Sequence, residues 1–201
     1  ISVGGLPDGI VDTDMLAATA VTDGKIANTT ISEGKLATDV NTITMADSWK
    51  LNANYTQSAG HGPVTSNWER MVTNGTAIAS IGSALTESSG VFSFPSTGKY
   101  LIHYCFGGKS NDVSTQDYIG ARVFVSQNAG VGFNMYTHAY TNDWSNHSYF
   151  SVNHACLLDV TNTSNVQFRM DTECQSSTLW FGANTANRIA SGFLVLRLGD
   201  T

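Results

Sequence analysis

From about Met45 onward, short runs of alternating apolar and polar residues are separated by clusters of Gly, Asn, Ser and Thr. Alternation with a period of two is typical of a β-strand that has one face in a core and the other in water, and such clusters mark turns. Seven or more short strands in about 150 residues are typical of a β-sandwich or jelly roll, and we expect no helix after residue 46. The strands that the pattern predicts are Val91–Phe94, Lys99–Phe106, Ile119–Val125, Tyr149–Val160, Val166–Met170, Thr178–Phe181 and Gly192–Leu198.

Two of these strands, 100–106 and 193–198, carry apolar residues on both faces. A two-layer sandwich buries only one face of each sheet, so the second apolar face needs another partner. We predict that this partner is another copy of the chain. The alternative is that loops or residues 46–70 cover the face, and alternation alone does not decide which face of the first strand meets its symmetry mates. The residues predicted at a trimer interface are Tyr100, Ile102, Tyr104, Phe106, Leu194, Leu196 and Leu198.

The first forty residues repeat with a period of ten. Val11–Ala17, Val21–Ala27 and Ile31–Ala37 each begin with a β-branched residue, continue through a polar turn and carry an aliphatic residue at position 6. A unit with so few apolar positions cannot bury them alone, so stacking against copies in other chains is expected. The alternative is a flexible linker. The repeat predicts a stem over residues 1–45, packed through Val11, Leu16, Val21, Ile26, Ile31 and Leu36.

The composition excludes several classes of protein. With 41% hydrophobic residues the chain can bury a core, which excludes a disordered protein. The net charge is −6 and the ten Lys and Arg residues are scattered singly, so we expect no nucleic-acid partner. No run approaches the roughly 20 apolar residues of a membrane-spanning helix, so we expect no membrane partner. Only 13% of residues are charged, and solubility therefore depends on Asn, Ser and Thr.

The three cysteines, Cys105, Cys156 and Cys174, are an odd number at wide spacings. This pattern fits neither a disulfide framework nor a zinc site. We expect free, buried thiols and folding in a reducing cytoplasm.

No pattern of residues indicates catalysis. A nucleophile motif is absent from the sequence, and the five histidines lack carboxylates at ligand spacing, so we expect no catalytic residue, metal or cofactor and no enzyme activity. One segment is a candidate glycan-binding loop, because Tyr136, Tyr140 and Trp144 lie among amide and hydroxyl side chains on an expected connection between strands. The alternative is that these rings pack into the sandwich edge or the trimer interface.

Three segments resemble the globular heads of the complement and tumour-necrosis-factor superfamily. The segment 90–100, Gly-Val-Phe-Ser-Phe-Pro-Ser-Thr-Gly-Lys-Tyr, is similar to the signature that opens their jelly roll. Leu157–Val160 with Val166–Phe168 resembles a later hairpin, and Ser191–Val195 resembles the closing strand. The resemblance covers about residues 66–198. It implies an all-β jelly-roll sandwich that assembles as a homotrimer, with the opening and closing strands near the threefold axis.

A second resemblance concerns the tail-fibre and head-fibre chains of tailed bacteriophages. Units such as Val21–Ala27, and the segments Asp47–Asn54 and Trp68–Arg70, are similar to parts of these proteins. The resemblance implies a non-enzymatic virion protein, folded in the host cytoplasm and exposed on the particle. Its stem, residues 1–45, would bind capsid or tail proteins, and its jelly-roll head, residues 46–201, would project outward. Because the stem is short, a short fibre or a capsid-surface decoration is expected.

Two other functions stay open at this point. One is a tail-fibre tip or lectin-like adhesion module that binds a host cell-surface glycan. The other is a secreted cellular ligand of the complement-head type.

Overall fold

A computed structural model of the chain describes residues 21–22, 26, 43–73, 76–77, 80–110, 116–143, 149–182 and 191–201. The chain divides into two compact units, Ile1–Thr42 and Ile43–Thr201. In the first unit, Val21 and Ile26 are exposed. The other four residues of the expected stem packing lie outside the described residues: Val11, Leu16, Ile31 and Leu36. Packing of the stem between chains therefore stays a prediction.

Within its described residues, the second unit is built from strands and connections without a helix. These strands are β1 (Ala46–Leu51), β2 (Tyr55–Gln57), β3 (Gly60–Pro63), β4 (Trp68–Arg70), β5 (Val72–Thr73), β6 (Thr76–Ala77), β7 (Thr86–Ser88), β8 (Val91–Ser93), β9 (Gly98–Ser110), β10 (Gln116–Ser126), β11 (Asn134–Asp143), β12 (Tyr149–Val160), β13 (Gln167–Cys174), β14 (Thr178–Trp180) and β15 (Ser191–Gly199). All seven predicted strands are confirmed, as β8, β9, β10, β12, β13, β14 and β15. The sequence pattern did not predict β1 to β7 or β11.

The strands form two antiparallel sheets. Sheet A has the order β2-β14-β9-β15-β1-β4, and β12 pairs with the other edge of β9. Sheet B has the order β11-β10-β13-β8-β7, and β3 also pairs with β13. Strands β5 and β6 pair antiparallel in a separate two-stranded sheet. Two packed antiparallel sheets make an all-β sandwich, as the alternation predicts.

Aromatic rings from both sheets meet in the core around Phe92 of β8. Its ring lies 4.8 Å from that of Phe193 and 5.1 Å from that of Phe168, measured between centroids. Trp49 and Trp68 approach the same ring edge-on at 5.2 and 5.3 Å. Such pairs contribute about 0.5–1.5 kcal/mol each beyond the area that they bury. This cluster therefore holds sheet B against β1, β4 and β15 of sheet A.

A buried carboxylate, Asp47 of β1, fixes the edge of sheet A. Its Oδ2 accepts hydrogen bonds of 3.0 Å from both Trp49 Nε1 and the backbone N–H of Leu85. Arg70 Nε on β4 lies 3.2 Å from Oδ1, and its guanidinium stacks 4.6 Å from the centroid of Trp49. The carboxylate thus joins β1, β4 and the segment before β7, and the burial of its charge is offset by an ion pair and two further hydrogen bonds.

Replacing Asp47 by Ala should lower the free energy of unfolding by about 3 kcal/mol, because it leaves two buried N–H groups and Arg70 Nε without their acceptor. Urea unfolding followed by tryptophan fluorescence measures this loss. The exposed carboxylate Asp159 on β12 provides the control, since Asp159→Ala should change stability by less than about 0.5 kcal/mol. Equal effects of the two substitutions would contradict the role given to Asp47. If Asp47→Ala does not fold, Asp47→Asn provides the milder test.

Candidate self-association surface

The even-numbered side chains of β9 point into the sandwich. Tyr100, Ile102, Tyr104 and Phe106 are fully buried within one chain. Tyr104 donates a 3.2 Å hydrogen bond to the carbonyl of Ala121 in sheet B, which shows the direction of this face. The predicted trimer-interface role therefore does not fit these four residues, because no second copy can reach them. Both faces of β9 are apolar, and alternation alone could not distinguish the core face from the outer one.

The outer face of sheet A carries the other apolar set. Strand register aligns Leu157 of β12, Leu101 of β9, Leu196 of β15 and Ala46 of β1 side by side, and we call these four residues the apolar row. Leu157 is 59% exposed, while Leu101 and Leu196 are half-buried. A row of partly exposed aliphatic side chains on one sheet face is typical of a protein-binding surface.

The remaining predicted residues of β15 also lie on this face. Leu194 is half-buried and Leu198 is 56% exposed. Their orientation leaves them available to a second copy, so their role at an interface, like that of Leu196, stays a prediction.

A shallow depression lies beside the apolar row. It is lined by Ser48, His103, Cys105, Gly192 and Leu194, together with parts of Trp49 and Phe193. Gly192 lets β15 pass close to β1 at this point, because a Cβ atom there would collide with the carbonyl oxygen of Trp49. The depression is mostly apolar and open to one side, so it could receive an aliphatic side chain from a neighbouring molecule.

Charged groups lie at both ends of this face. At one end Lys50 Nζ lies 3.8 Å from Glu69 Oε2, and the lysine side chain is almost fully covered. At the other end Lys99 Nζ donates a 3.2 Å hydrogen bond to the carbonyl of Asp200. An apolar centre between charged ends has the composition of a specific protein interface, in which the centre is depleted of charge.

The expected glycan-binding aromatics are not on a connection. Tyr136 and Tyr140 belong to β11, and the prediction of a loop was wrong for both; Trp144 lies outside the described residues. The Tyr136 hydroxyl donates to the carbonyl of Leu157 in β12, whereas the Tyr140 hydroxyl donates to Glu173 Oε2 at 2.6 Å. These partners lie in different sheets, so the two rings do not form one platform.

Sequence reasoning missed the residues that surround Tyr140. Tyr118 and Arg122 of β10, His138 of β11 and Glu173 of β13 meet on the outer face of sheet B. Alternation within β10 could have suggested that Tyr118 and Arg122 share a face. Their contact with Tyr140 depends on the pairing of β10 with β11, and the sequence pattern does not predict which strands pair.

The described part of the chain has neither a grouped set of metal ligands nor a membrane-spanning helix. No three His, Cys, Asp or Glu side chains there are grouped closely enough to hold a metal ion. No helix there has the length and hydropathy needed to cross a membrane.

Comparison with known proteins identifies the fold. No family model matches the chain, and no curated protein does. Among solved structures, it is similar to Eiger TNF from S. frugiperda, at 17% identity and a TM-score of 0.56 over 78% of this chain and 94% of that one. It is also similar to murine APRIL, at 10% identity and a TM-score of 0.52 over 77% of this chain and 98% of that one. The head is a tumour-necrosis-factor-like jelly roll. This confirms the expected all-β jelly roll, and identities this low show the fold alone.

The three cysteines are free and differ in their surroundings. Cys105 lines the depression, and its Sγ lies 3.5 Å from Ser151 Oγ. Cys156 packs against the core, and burial raises the pKa of its thiol to about 11. Cys174 is fully buried beside the carbonyls of Gln57 and Ser58, and burial raises its pKa as well. Cys105 is therefore the thiol best placed to report on contacts at the outer face.

The raised pKa of Cys156 predicts how its alkylation depends on pH. The thiolate is the reactive form, and at pH 8 a thiol of pKa about 11 has roughly 100-fold less of it than a thiol of pKa 9. The rate of iodoacetamide labelling should therefore rise about tenfold per pH unit from pH 8 to 10 and keep rising to pH 11. Peptide mass spectrometry measures this rate, with circular dichroism at each pH as a control for folding. A rate that levels off above pH 9 would contradict the assignment.

Proposed function

We propose that this chain is a non-enzymatic structural protein that works as a homotrimer, joined through the outer face of sheet A. We further propose that it lies on the surface of a tailed-phage virion, as a short fibre or capsid decoration. Residues 1–45 would form the stem that binds capsid or tail proteins, and the head would project outward. The apolar row and the adjacent depression are the observation that carries the self-association.

Energetics supports self-association through this face. Apolar surface removed from water contributes about 25 cal/mol per Å², and fully burying one leucine contributes about 1.5–3 kcal/mol. The apolar row, Leu194 and Leu198 therefore offer several kcal/mol per protomer. A contact that joins the depression of one chain to the apolar row of the next is head-to-tail, and such contacts form a ring when the rotation between subunits closes and an open filament when it does not. A closed threefold ring agrees with the homotrimer that the sequence resemblance implies.

The virion placement rests on the sequence. The ten-residue repeats before the head are the feature shared with phage fibre chains. A stem whose units carry few apolar residues gains stability only when several chains lie together, so a trimeric head and such a stem would stabilise each other.

Replacing Leu157 by Arg should dissociate the trimer, because it places a charge at the most exposed position of the apolar row, where association would remove it from water. Light scattering at micromolar concentration should give three times the 21.5 kDa chain mass for the wild type and one chain mass for the variant. Met135→Arg is the matched control, since Met135 is also an exposed apolar residue but lies on β11 of sheet B. A wild-type mass of one chain would refute self-association, and an intact Leu157→Arg trimer would refute this surface.

Cys105 provides a second readout of the same assembly. Association through the depression covers its thiol, so iodoacetamide should label Cys105 at least about tenfold more slowly in the wild type than in Leu157→Arg. Equal labelling rates in a wild type that is trimeric would place the interface elsewhere.

The virion placement has its own test. Gold-labelled antibody against the head, applied to whole particles, should label the capsid surface or the tail. Particles without gold would overturn the virion placement and leave the self-association result unaffected.

A further inference from the structure

The outer face of sheet B presents a cluster of aromatic rings at β10 and β11. Tyr118 and Arg122 lie on the outer face of β10, and His138 and Tyr140 lie on the outer face of β11. Tyr118 is 37% exposed and Tyr140 is 43% exposed. Tyr140 is in contact with both other rings, at 6.5 Å from Tyr118 and 4.8 Å from His138 between centroids. We call Tyr118, His138 and Tyr140 the ring cluster.

Hydrogen bonds hold the central ring in one position. The Tyr140 hydroxyl donates to Glu173 Oε2 at 2.6 Å and accepts from Arg122 Nη2. Arg122 also pairs with Glu173, and the guanidinium carbon lies 5.5 Å from the centroid of the Tyr140 ring. The Arg122 and Glu173 side chains are only 13% and 14% exposed. A ring fixed in this way loses little conformational entropy when a ligand binds to it.

A glycine makes room for this ring. Gly120 pairs with Tyr140 across the two strands, and a Cβ atom at Gly120 would collide with the Tyr140 ring carbons Cδ1 and Cε1. The ring therefore occupies the place of the missing side chain and lies close against the sheet. Its position depends on a backbone feature as well as on the hydrogen bonds.

The neighbouring part of the same sheet face is already covered. Arg169 donates hydrogen bonds of 2.8 and 3.1 Å to the two oxygens of Asp171. Its guanidinium lies 5.2 Å from the centroid of Phe124 and 4.6 Å from that of Phe133. The Arg169 guanidinium thus has both its hydrogen-bond acceptors and its aromatic contacts within this chain, whereas Tyr118 and Tyr140 of the ring cluster stay partly exposed. Sheet B also faces away from the apolar row, so self-association through sheet A leaves the ring cluster open.

We propose that the ring cluster binds a neutral pyranose sugar. The apolar C–H face of a pyranose stacks on a tyrosine ring, and its hydroxyls need polar partners at the edge of that ring. His138 and the exposed Asn142, which follows Tyr140 by two positions on β11, supply such partners. Arg122 and Glu173 neutralise each other, so the site has no net charge to select an anionic sugar. The inference rests on the proposed function only in leaving this face of the head exposed.

Saturation-transfer NMR on the full chain tests the site with methyl glycosides of glucose, galactose and mannose. At least one glycoside should receive saturation on its ring C–H protons. Tyr140→Ala should weaken that binding at least about tenfold, a loss of roughly 1.4 kcal/mol. Tyr149→Ala is the control, since Tyr149 is a more exposed tyrosine on β12 of sheet A, and it should leave sugar binding unchanged.

Two further variants separate ring position from general damage to the fold. Gly120→Ala removes no polar group but displaces the Tyr140 ring, so it should also weaken binding. Tyr118→Ala removes a neighbouring ring without touching the Tyr140 hydrogen bonds, and it should weaken binding several-fold even if the other variants do not fold.

The inference is overturned if none of the three glycosides receives saturation, or if Tyr140→Ala and Tyr118→Ala both bind like the wild type. Light scattering on the same samples keeps the two proposals apart. A monomer that binds sugar would support the sugar site and refute self-association. A trimer that binds no sugar would support self-association and refute the sugar site.

Discussion

The structure depends on one geometric constraint: a two-layer sandwich buries only the inner face of each sheet. In sheet A the inner face of β9 is filled by large side chains such as Tyr104 and Phe106, yet its outer face still carries Leu101 beside Leu157 and Leu196. These leucines lie outside the core, and folding of one chain covers Leu101 and Leu196 only in part. An apolar row that the fold leaves only partly covered favours association with another chain.

The core and the outer face meet in β15. Phe193 points inward to the ring of Phe92, while Leu194, the next residue, lines the depression outside. Any shift of this strand would change both surfaces together. Asp47 on the neighbouring β1 limits such a shift, because its hydrogen bonds to Trp49, Leu85 and Arg70 fix the edge of the sheet. The stability of the core and the shape of the proposed interface are therefore coupled.

Strand positions were predictable from the sequence wherever alternation was clear, as for Tyr149–Val160, whose predicted and observed bounds agree. The strand β11 was missed, because its tyrosines, threonines and asparagine resemble the composition of a loop and its exposed residues dominate. Which face of β9 is buried could not be predicted either, since Tyr100 and Leu101 on its two faces are both suited to a core. Which residue is buried depends on the side on which the opposing sheet packs, and the sequence of a single strand does not show that side.

Of the candidate sugar site, the sequence indicated only Tyr140, because the rest of the site depends on how three strands are paired. Gly120 is opposite Tyr140, and Glu173 is opposite Gly120 on the other side of β10. The low charge of the chain is visible on this face. Arg122 and Glu173 form an ion pair that holds the Tyr140 ring, so the surface around the ring is nearly neutral. A neutral surface costs less to remove from water than a charged one, so a head with few free charges is suited to ligands and neighbours that carry little charge themselves.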